Sequence, residues 1–374
     1  MGKKILLVSN AFLPEISPRS FRATELAREF NRQGHAVTVL TKFRDHNYET
    51  FVEECPVTLK MWPKPLLPEV PKLSGTFLGA LSRAIKRGLS LFFEYPAIEE
   101  MFTVKRILKN EDGYDLLISF AIPYTVHWGV AWANPVKRGI AGTWVADCGD
   151  PYMFARLDTF KKPFYFKYIE KNFCRKCNYL TVPAETLKKQ FYPEFALKIK
   201  AVPQGFNFKG IKLWEGESNC EFPVFIFAGS IIPGLRDLSL LLEFLSSLKI
   251  KFQFIIYTNQ MEWFQKFKPL MGDKLILRDY IERLDLIYEM SKADFLINVD
   301  TILESENHTE AIPSKLIDYA LSGSPILNIN SRSLDKELVM QFLSKDYSRR
   351  RVVDLQRHEI SRVASQFIEL IRNP

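Results

Sequence analysis

The feature that most constrains this chain is an alternation of short apolar runs with helix-length amphipathic segments, which occurs twice along its 374 residues. KILLVS (4–9) reads as a buried strand. A helix follows over roughly Ser20 to Gln33 with Phe21, Leu26, Ala27 and Phe30 on one face, Gly34 ends it, and AVTVL (36–40) is the next strand. Such a unit implies parallel strands joined by a right-handed crossover. The alternation continues through DLLISF (115–120), a helix near 125–134, TWVA (143–146), YLTV (179–182) and IKAV (199–202). Residues 203–221 carry turn residues and weak periodicity and read as a linker. The pattern then restarts with FPVFIFAG (222–229), a helix from about Leu235 to Leu248, FQFIIY (252–257), DFLINV (294–299), SKLIDYAL (314–321), PILNI (325–329) and a last helix over about Gln356 to Arg372. The expected fold is α/β, with two Rossmann-like doubly wound domains facing a cleft that is the default ligand site.

No run of 18 apolar residues occurs, so a membrane-spanning helix is not expected. The opening MGKKILLVSN is read as a first strand, because its apolar run is too short for a signal peptide and no small-residue cleavage site follows. The five cysteines then read as reduced thiols of a cytoplasmic protein, with Cys174 and Cys177 on neighbouring helical turns rather than in a zinc site, which wants four ligands. Residues 1–202 hold 30 Lys and Arg against 20 Asp and Glu, whereas 203–374 hold 21 against 23. The basic excess sits in the first half and suggests an anionic partner there.

EAIPSKLIDYALSGSPIL (310–327) carries the most chemistry. Pro313 favours a helix start, and Ser314 with the free amides beside it can face a phosphate, helped by the helix dipole. Asp318, one turn inside, can accept from a ribose diol, and Glu310, in the preceding loop, from sugar hydroxyls. The plainer reading is a capped helix with two solvated carboxylates.

This stretch resembles the donor-binding signature of glycosyltransferase family 4 and its relatives, which show Glu, seven residues, then Glu inside P-x-K-L-x-E-Y-x-x-x-G-x-P-[IV]. Glu310, Pro313, Lys315, Leu316, Tyr319, Gly323 and Pro325 match, and Asp318 replaces the second acid. FIFAGSIIPGLRDLSLLLEFL (225–245) resembles the family's diphosphate-binding turn, with Gly229 in place, Ser230 where an Arg is usual, and Arg236 as the loop's one cation. Residues 9–41 resemble the first βαβ unit. Ile16-Ser17-Pro18 stands where many members have Gly-Gly, and Arg19 or Arg22 could supply charge to the donor, with Arg22 preferred. DLLISFAIPYTVHWGVAWAN and GTWVADCGDPYMF (115–154) resemble a subgroup with a W-x-x-D-x-R-D-P-W run, its Arg being Gly149 here and its last Trp Tyr152. His127, Asp147 and Asp150 lie just past strand ends and are candidates to orient the acceptor hydroxyl or take its proton.

The resemblance implies a GT-B glycosyltransferase. Residues 1–204 would be the acceptor-binding domain, 205–350 the nucleotide-sugar donor domain, and 351–374 a helix packing back on the first. It also implies retention of configuration. No Asp-x-Asp occurs and no cofactor is called for, so the leaving diphosphate would be stabilised by Arg236, backbone amides and a helix N-terminus rather than a metal. Residues 73–110 read as helical and set Leu81, Ile85, Leu89, Phe92 and Phe93 against Arg83, Lys86, Arg87, Lys105, Arg106 and Lys109. Such a segment can lie on an anionic bilayer, or be an ordinary helix pair with a buried apolar face. The expected partners are a nucleotide-sugar donor, a glycan or lipid-linked acceptor of surface polysaccharide or lipopolysaccharide synthesis, and the inner face of the cytoplasmic membrane, not nucleic acid. The rivals are a nucleotide-sugar epimerase of the same fold and a non-catalytic sugar-nucleotide-binding scaffold.

Overall fold

The computed structural model describes residues 2–15, 17–68, 71, 76–154, 160–216, 220–234, 236–300 and 314–371. The chain divides into two units, Met1–Asn207 with Arg357–Pro374, and Phe208–Gln356.

The first unit contains β1 (Lys4–Ser9), α1 (Pro18–Arg32), β2 (Ala36–Lys42), α2 (Glu49–Glu54), β3 (Thr58–Trp62), α3 (Thr76–Phe93), α4 (Ile98–Leu108), β4 (Tyr114–Phe120), α5 (Thr125–Ala133), β5 (Ala141–Asp147), α6 (Phe166–Lys176), β6 (Tyr179–Val182) and β7 (Ile199–Ala201). Its parallel sheet runs β3-β2-β1-β4-β5-β6-β7, and strand order reverses between β1 and β4. α1 starts where it does because the Ser17 side chain accepts from the Ser20 amide at 3.2 Å and Pro18 sits in the first turn. Its buried stripe is Ala23, Leu26, Ala27 and Phe30; Phe21 is exposed, being off the stripe that the helical period sets. The helical reading of 73–110 resolves into two helices, since Pro96 cannot supply an amide to a continuous one.

The second unit contains β8 (Val224–Ala228), α7 (Ser239–Ser247), β9 (Gln253–Tyr257), α8 (Met261–Gln265), α9 (Lys268–Met271), β10 (Leu275–Arg278), α10 (Arg283–Met290), β11 (Phe295–Asp300), α11 (Ser314–Leu321), β12 (Ile326–Asn330) and α12 (Lys336–Leu343). Its parallel sheet runs β10-β9-β8-β11-β12, with the reversal between β8 and β11. The Phe225 ring stacks at 4.6 Å on Phe295 and 4.7 Å on Phe254, so one Phe from each of three adjacent strands forms the centre of this core. β3 and β10 escape a reading of apolar runs because both are edge strands, short and half exposed.

The chain returns to the first unit through α13 (Ile360–Glu369), whose Val363, Ala364 and Phe367 join the core beneath α1. The crossing is pinned by backbone bonds: the Phe206 amide donates to the His358 carbonyl at 2.8 Å and the Ile360 amide to that of Phe206 at 3.0 Å.

Candidate active site

In the second unit β8 pairs with β11 only through Phe225 and Ile226, so the two strands part before β8 ends. The backbone groups this frees on Ala228 are taken by one side chain. The Tyr319 hydroxyl of α11 accepts from the Ala228 amide at 2.8 Å and donates to its carbonyl at 3.1 Å. The opening therefore lies at the carboxyl end of the central strand, at the switch point where doubly wound sheets bind ligands. Gly229 continues the chain at φ 141°, a conformation other residues rarely adopt, and a Cβ there would meet only Phe227 Cζ at 3.8 Å. The turn is left open enough for a ligand to approach the backbone.

Two cations converge on this opening. The Lys315 ammonium of α11 is buried, lies 5.0 Å from the centroid of the Phe227 ring, and has no hydrogen-bond partner among the described residues. Its pKa is lowered to about 7, chiefly by burial and then by the charge of Arg236, with Asp300 opposing both. Asp300 is itself held by Arg351, at 3.0 Å. Arg236 Nε is likewise buried and without a partner among the described residues. The Lys315 ammonium is poorly solvated and is repelled by the charge of Arg236, so this arrangement is costly until an anion enters.

Asp318 is engaged by a residue the sequence reading missed. Arg283 Nε and Nη2 both donate to its Oδ1, at 2.9 and 2.6 Å. Burial raises the Asp318 carboxyl and Arg283 pulls it back. Its Oδ2 has no described partner and remains available to accept. Ser230 is exposed at the turn, its hydroxyl 3.4 Å from Asn259 Oδ1. Leu316, expected at the donor, is instead a fully buried member of the core with Ile226, Tyr257 and Tyr319. Glu310 and Pro313 lie outside the described residues, as does the Ser314 side chain.

In the first unit the structure corrects the expectation for Arg22 and gives Asp147 a structural partner. Arg22 is 2% exposed and does not meet solvent. Its Nε and Nη2 donate to both oxygens of Asp147 at 2.7 and 2.8 Å, and Nη1 and Nη2 to the carbonyls of Pro203 and Val202 at 2.6 and 3.0 Å. Thr181 Oγ1 adds a 2.6 Å bond to Asp147. This network ties α1, β5, β6 and the segment after β7 together.

His127 is packed rather than poised. It is 0% exposed, with Nδ1 2.8 Å from Ser119 Oγ and Nε2 3.6 Å from Cys148 Sγ. Trp144 Nε1 donates to the same Ser119 hydroxyl at 2.9 Å, leaving that hydroxyl to donate to Nδ1. Burial lowers the imidazole to about 3, so it is neutral at ordinary pH and does not reach an acceptor in solvent.

Asp150 is the accessible member of this group, and its partner is Arg19, at 3.0 Å. A Cβ on Gly149 would lie 1.4 Å from Arg19 Nη2. The guanidinium of Arg19 thus fills the space of a side chain at 149, the position where the resembling subgroup carries Arg. Gly149→Ala is expected to push the flexible Arg19 tip off Asp150 while shifting Tm by under about 2 °C, an exposed pair being worth at most ~1 kcal/mol. Thermal unfolding beside an activity assay checks it; a large loss of Tm would show that the contact is part of the core.

No cluster of three or more His, Cys, Asp or Glu able to hold a metal ion occurs among the described residues, and none of their helices is long and apolar enough to cross a membrane. Cys174 and Cys177 are buried free thiols.

No protein-family model matches this sequence, and no curated protein matches it. Solved structures do match in fold. Alr3699/HepE of Anabaena, in complex with UDP and glucose, aligns over 98% of this chain and 98% of its own with a TM-score of 0.59 and 12% identity. The lipopolysaccharide outer core galactosyltransferase WaaB aligns over 98% of this chain and 99% of its own, again at 0.59 and 12%. A UDP-N-acetylglucosamine 2-epimerase aligns over 99% and 95% at 0.52 and 11%. At these identities the likeness is one of fold: the chain has the two-domain GT-B architecture.

Proposed function

We propose that this protein is a glycosyltransferase that moves a sugar from a nucleoside diphosphate sugar to a hydroxyl of a glycan acceptor. The observation that carries the reading is the pair of buried, unpartnered cationic nitrogens on Lys315 and Arg236 at the carboxyl end of β8. A diphosphate supplies the missing anion, and in the transition state these cations stabilise the charge that develops on the leaving nucleotide. Gly229 admits the phosphate to the backbone, the N-terminus of α11 at Ser314 adds its dipole, Asp318 Oδ2 accepts from the ribose, and Glu310 from the sugar. On the first unit, Asp150 with Arg19 replaces His127 as the accessible polar pair toward the acceptor. Incubation with a nucleotide sugar and membrane glycolipids is expected to give free nucleotide plus a glycoside. A free, altered sugar nucleotide as sole product would instead assign an epimerase, which this fold also accommodates.

The acceptor is lipid-linked in this reading. α3 leaves Leu81, Ile85, Phe92 and Phe93 exposed beside exposed Arg83, Lys86 and Arg87. A second segment with exposed Phe160, Phe164 and Tyr168 adjoins it, since Arg87 lies over the Phe160 ring at 5.5 Å and the Tyr165 hydroxyl donates to the Phe92 carbonyl. Exposed aromatic rings interleaved with cations suit an anionic bilayer surface. Pelleting with phosphatidylglycerol vesicles but not with phosphatidylcholine ones is expected; equal or no pelleting would remove the membrane from the account.

A further inference from the structure

β11 is apolar except at two positions, Asn298 and Asp300, and Asn298 is 0% exposed. A polar side chain in the middle of a sheet needs partners. The strand register sets Asn298 directly against Asn328 of β12. Asn298 Nδ2 donates to Asn328 Oδ1 and, at 3.2 Å, to Asp300 Oδ1, and Asn328 Nδ2 donates to Asp300 Oδ2. Arg351, from the segment that follows α12, closes the group. Its Nη1 lies 3.0 Å from Asp300 Oδ1 and 3.2 Å from Oδ2, and its backbone amide is fixed by the Ile326 carbonyl at 2.9 Å. Each oxygen of Asp300 therefore accepts two bonds, which fills the acceptor positions of a carboxylate.

The place of Asp300 gives this group a consequence for the neighbouring cation. Side chains alternate along a strand, so Leu296, Asn298 and Asp300 share one face. Leu296 packs with Leu316 and Tyr319 of α11, so Asp300 stands on the face that α11 covers, at the end where β11 finishes. Lys315 is in the first turn of that helix, and the Asp300 charge favours its ammonium. Yet Lys315 Nζ is buried with no hydrogen-bond partner among the described residues. A buried ammonium beside a carboxylate gains most by pairing with it. Here the carboxylate is already saturated, its charge is offset by Arg351, and two asparagines hold it in place.

We propose that Arg351 is a positioning residue for the donor diphosphate: by holding Asp300 it keeps the Lys315 ammonium unpaired, so that a phosphate rather than a protein carboxylate neutralises it. This rests on the donor site proposed above. The hold on Asp300 itself does not.

Titration of inorganic pyrophosphate and of UDP into the full chain at pH 6 tests it with three variants. Arg351→Gln releases Asp300 to Lys315 and is expected to weaken both ligands about tenfold, a charge-assisted contact to phosphate then having to displace a carboxylate. Arg351→Lys keeps the charge beside Asp300 and should bind nearly as wild type does. Adding Asp300→Asn to Arg351→Gln should restore most of the affinity, because nothing then competes for the ammonium; a merely structural loss would not be repaired by a second change in the same group. Stability against pH gives an independent readout. Wild type should gain stability between about pH 7 and 10.5, where folded Lys315 has released a proton that the unfolded chain retains. In Arg351→Gln the ammonium paired with Asp300 holds its proton to higher pH, so that gain should shrink. Equal ligand affinity in wild type and a folded Arg351→Gln overturns the positioning role and leaves the donor site standing, as does a loss that Asp300→Asn fails to repair. A wild type that binds neither pyrophosphate nor UDP rejects the donor site and the role with it, and a shrunken pH gain in Arg351→Gln would then keep only the hold on Asp300.

Discussion

Lys315→Met is expected to stabilise the unliganded protein and, in the same variant, to weaken donor binding about a hundredfold. Met keeps the length of the side chain and removes a buried charge that no described residue neutralises. The gain should be about 2 kcal/mol at neutral pH, or roughly 4–8 °C in the transition that reports the second unit. The loss follows because a charge-assisted contact to phosphate contributes ~1.5–3 kcal/mol. The pH dependence is specific. Lys315 titrates at about 7 in the folded chain and at 10.5 in the absence of its surroundings. Between those values the folded state binds fewer protons than the unfolded state, so wild-type stability rises with pH across that window. The variant lacks this rise. Its advantage is therefore largest at and below pH 7 and closes toward pH 10. Scanning calorimetry at pH 6 and 9 checks both points; a variant less stable than wild type at pH 6 would mean that Lys315 is paired in the folded state.

Arg22→Ala should have the largest effect in the opposite direction. The guanidinium makes four hydrogen bonds, two of them to the buried Asp147. Its ring contact is Phe367 of α13, at 5.5 Å. Removing it strands a carboxylate in the interior and frees two backbone carbonyls, a loss of about 3–5 kcal/mol. Arg22→Lys rescues little, because one ammonium cannot reproduce a bidentate fork with two further donors. Adding Asp147→Asn to Arg22→Ala should recover part of the loss, since the uncompensated charge is then gone. Chemical denaturation of the three variants measures this. A loss under ~1 kcal/mol for Arg22→Ala would return Arg22 to the ligand site that its sequence position suggested.

The two cases show what a sequence of this kind discloses. Strands buried on both faces, such as KILLVS and FPVFIFAG, announce themselves as continuous apolar runs, and the alternation with helices then dictates parallel sheets. TLKMW and LILR do not, because edge strands are neither wholly apolar nor cleanly alternating. Lys315 was legible because its neighbours Leu316, Tyr319 and Gly323 are spaced as in a recurring phosphate-binding helix. Between Arg22 and Arg19 the sequence favours the wrong one: Arg22, preferred as the ligand cation, is the buried residue. They sit three residues apart on α1, and what separates a buried strut from an accessible cation is its surroundings, partners at 147, 202 and 203 for one and the space at 149 with a partner at 150 for the other. Arg283 gave no signal at all. It is an ordinary charged residue at a helix start, and its role follows only from Asp318, which the fold brings to it.

The central claim is that the second unit binds the diphosphate of a sugar nucleotide, and calorimetric titration tests it most directly. UDP, GDP and several of their sugars would be titrated into wild type, Lys315→Met and Glu310→Ala. One nucleotide sugar is expected to bind wild type. Lys315→Met should weaken both the nucleotide and its sugar, whereas Glu310→Ala should weaken the nucleotide sugar more than the bare nucleotide. If no nucleotide binds the folded wild-type protein, even with membrane lipid present, the donor site is misassigned and the likeness to nucleotide-sugar enzymes is one of fold alone.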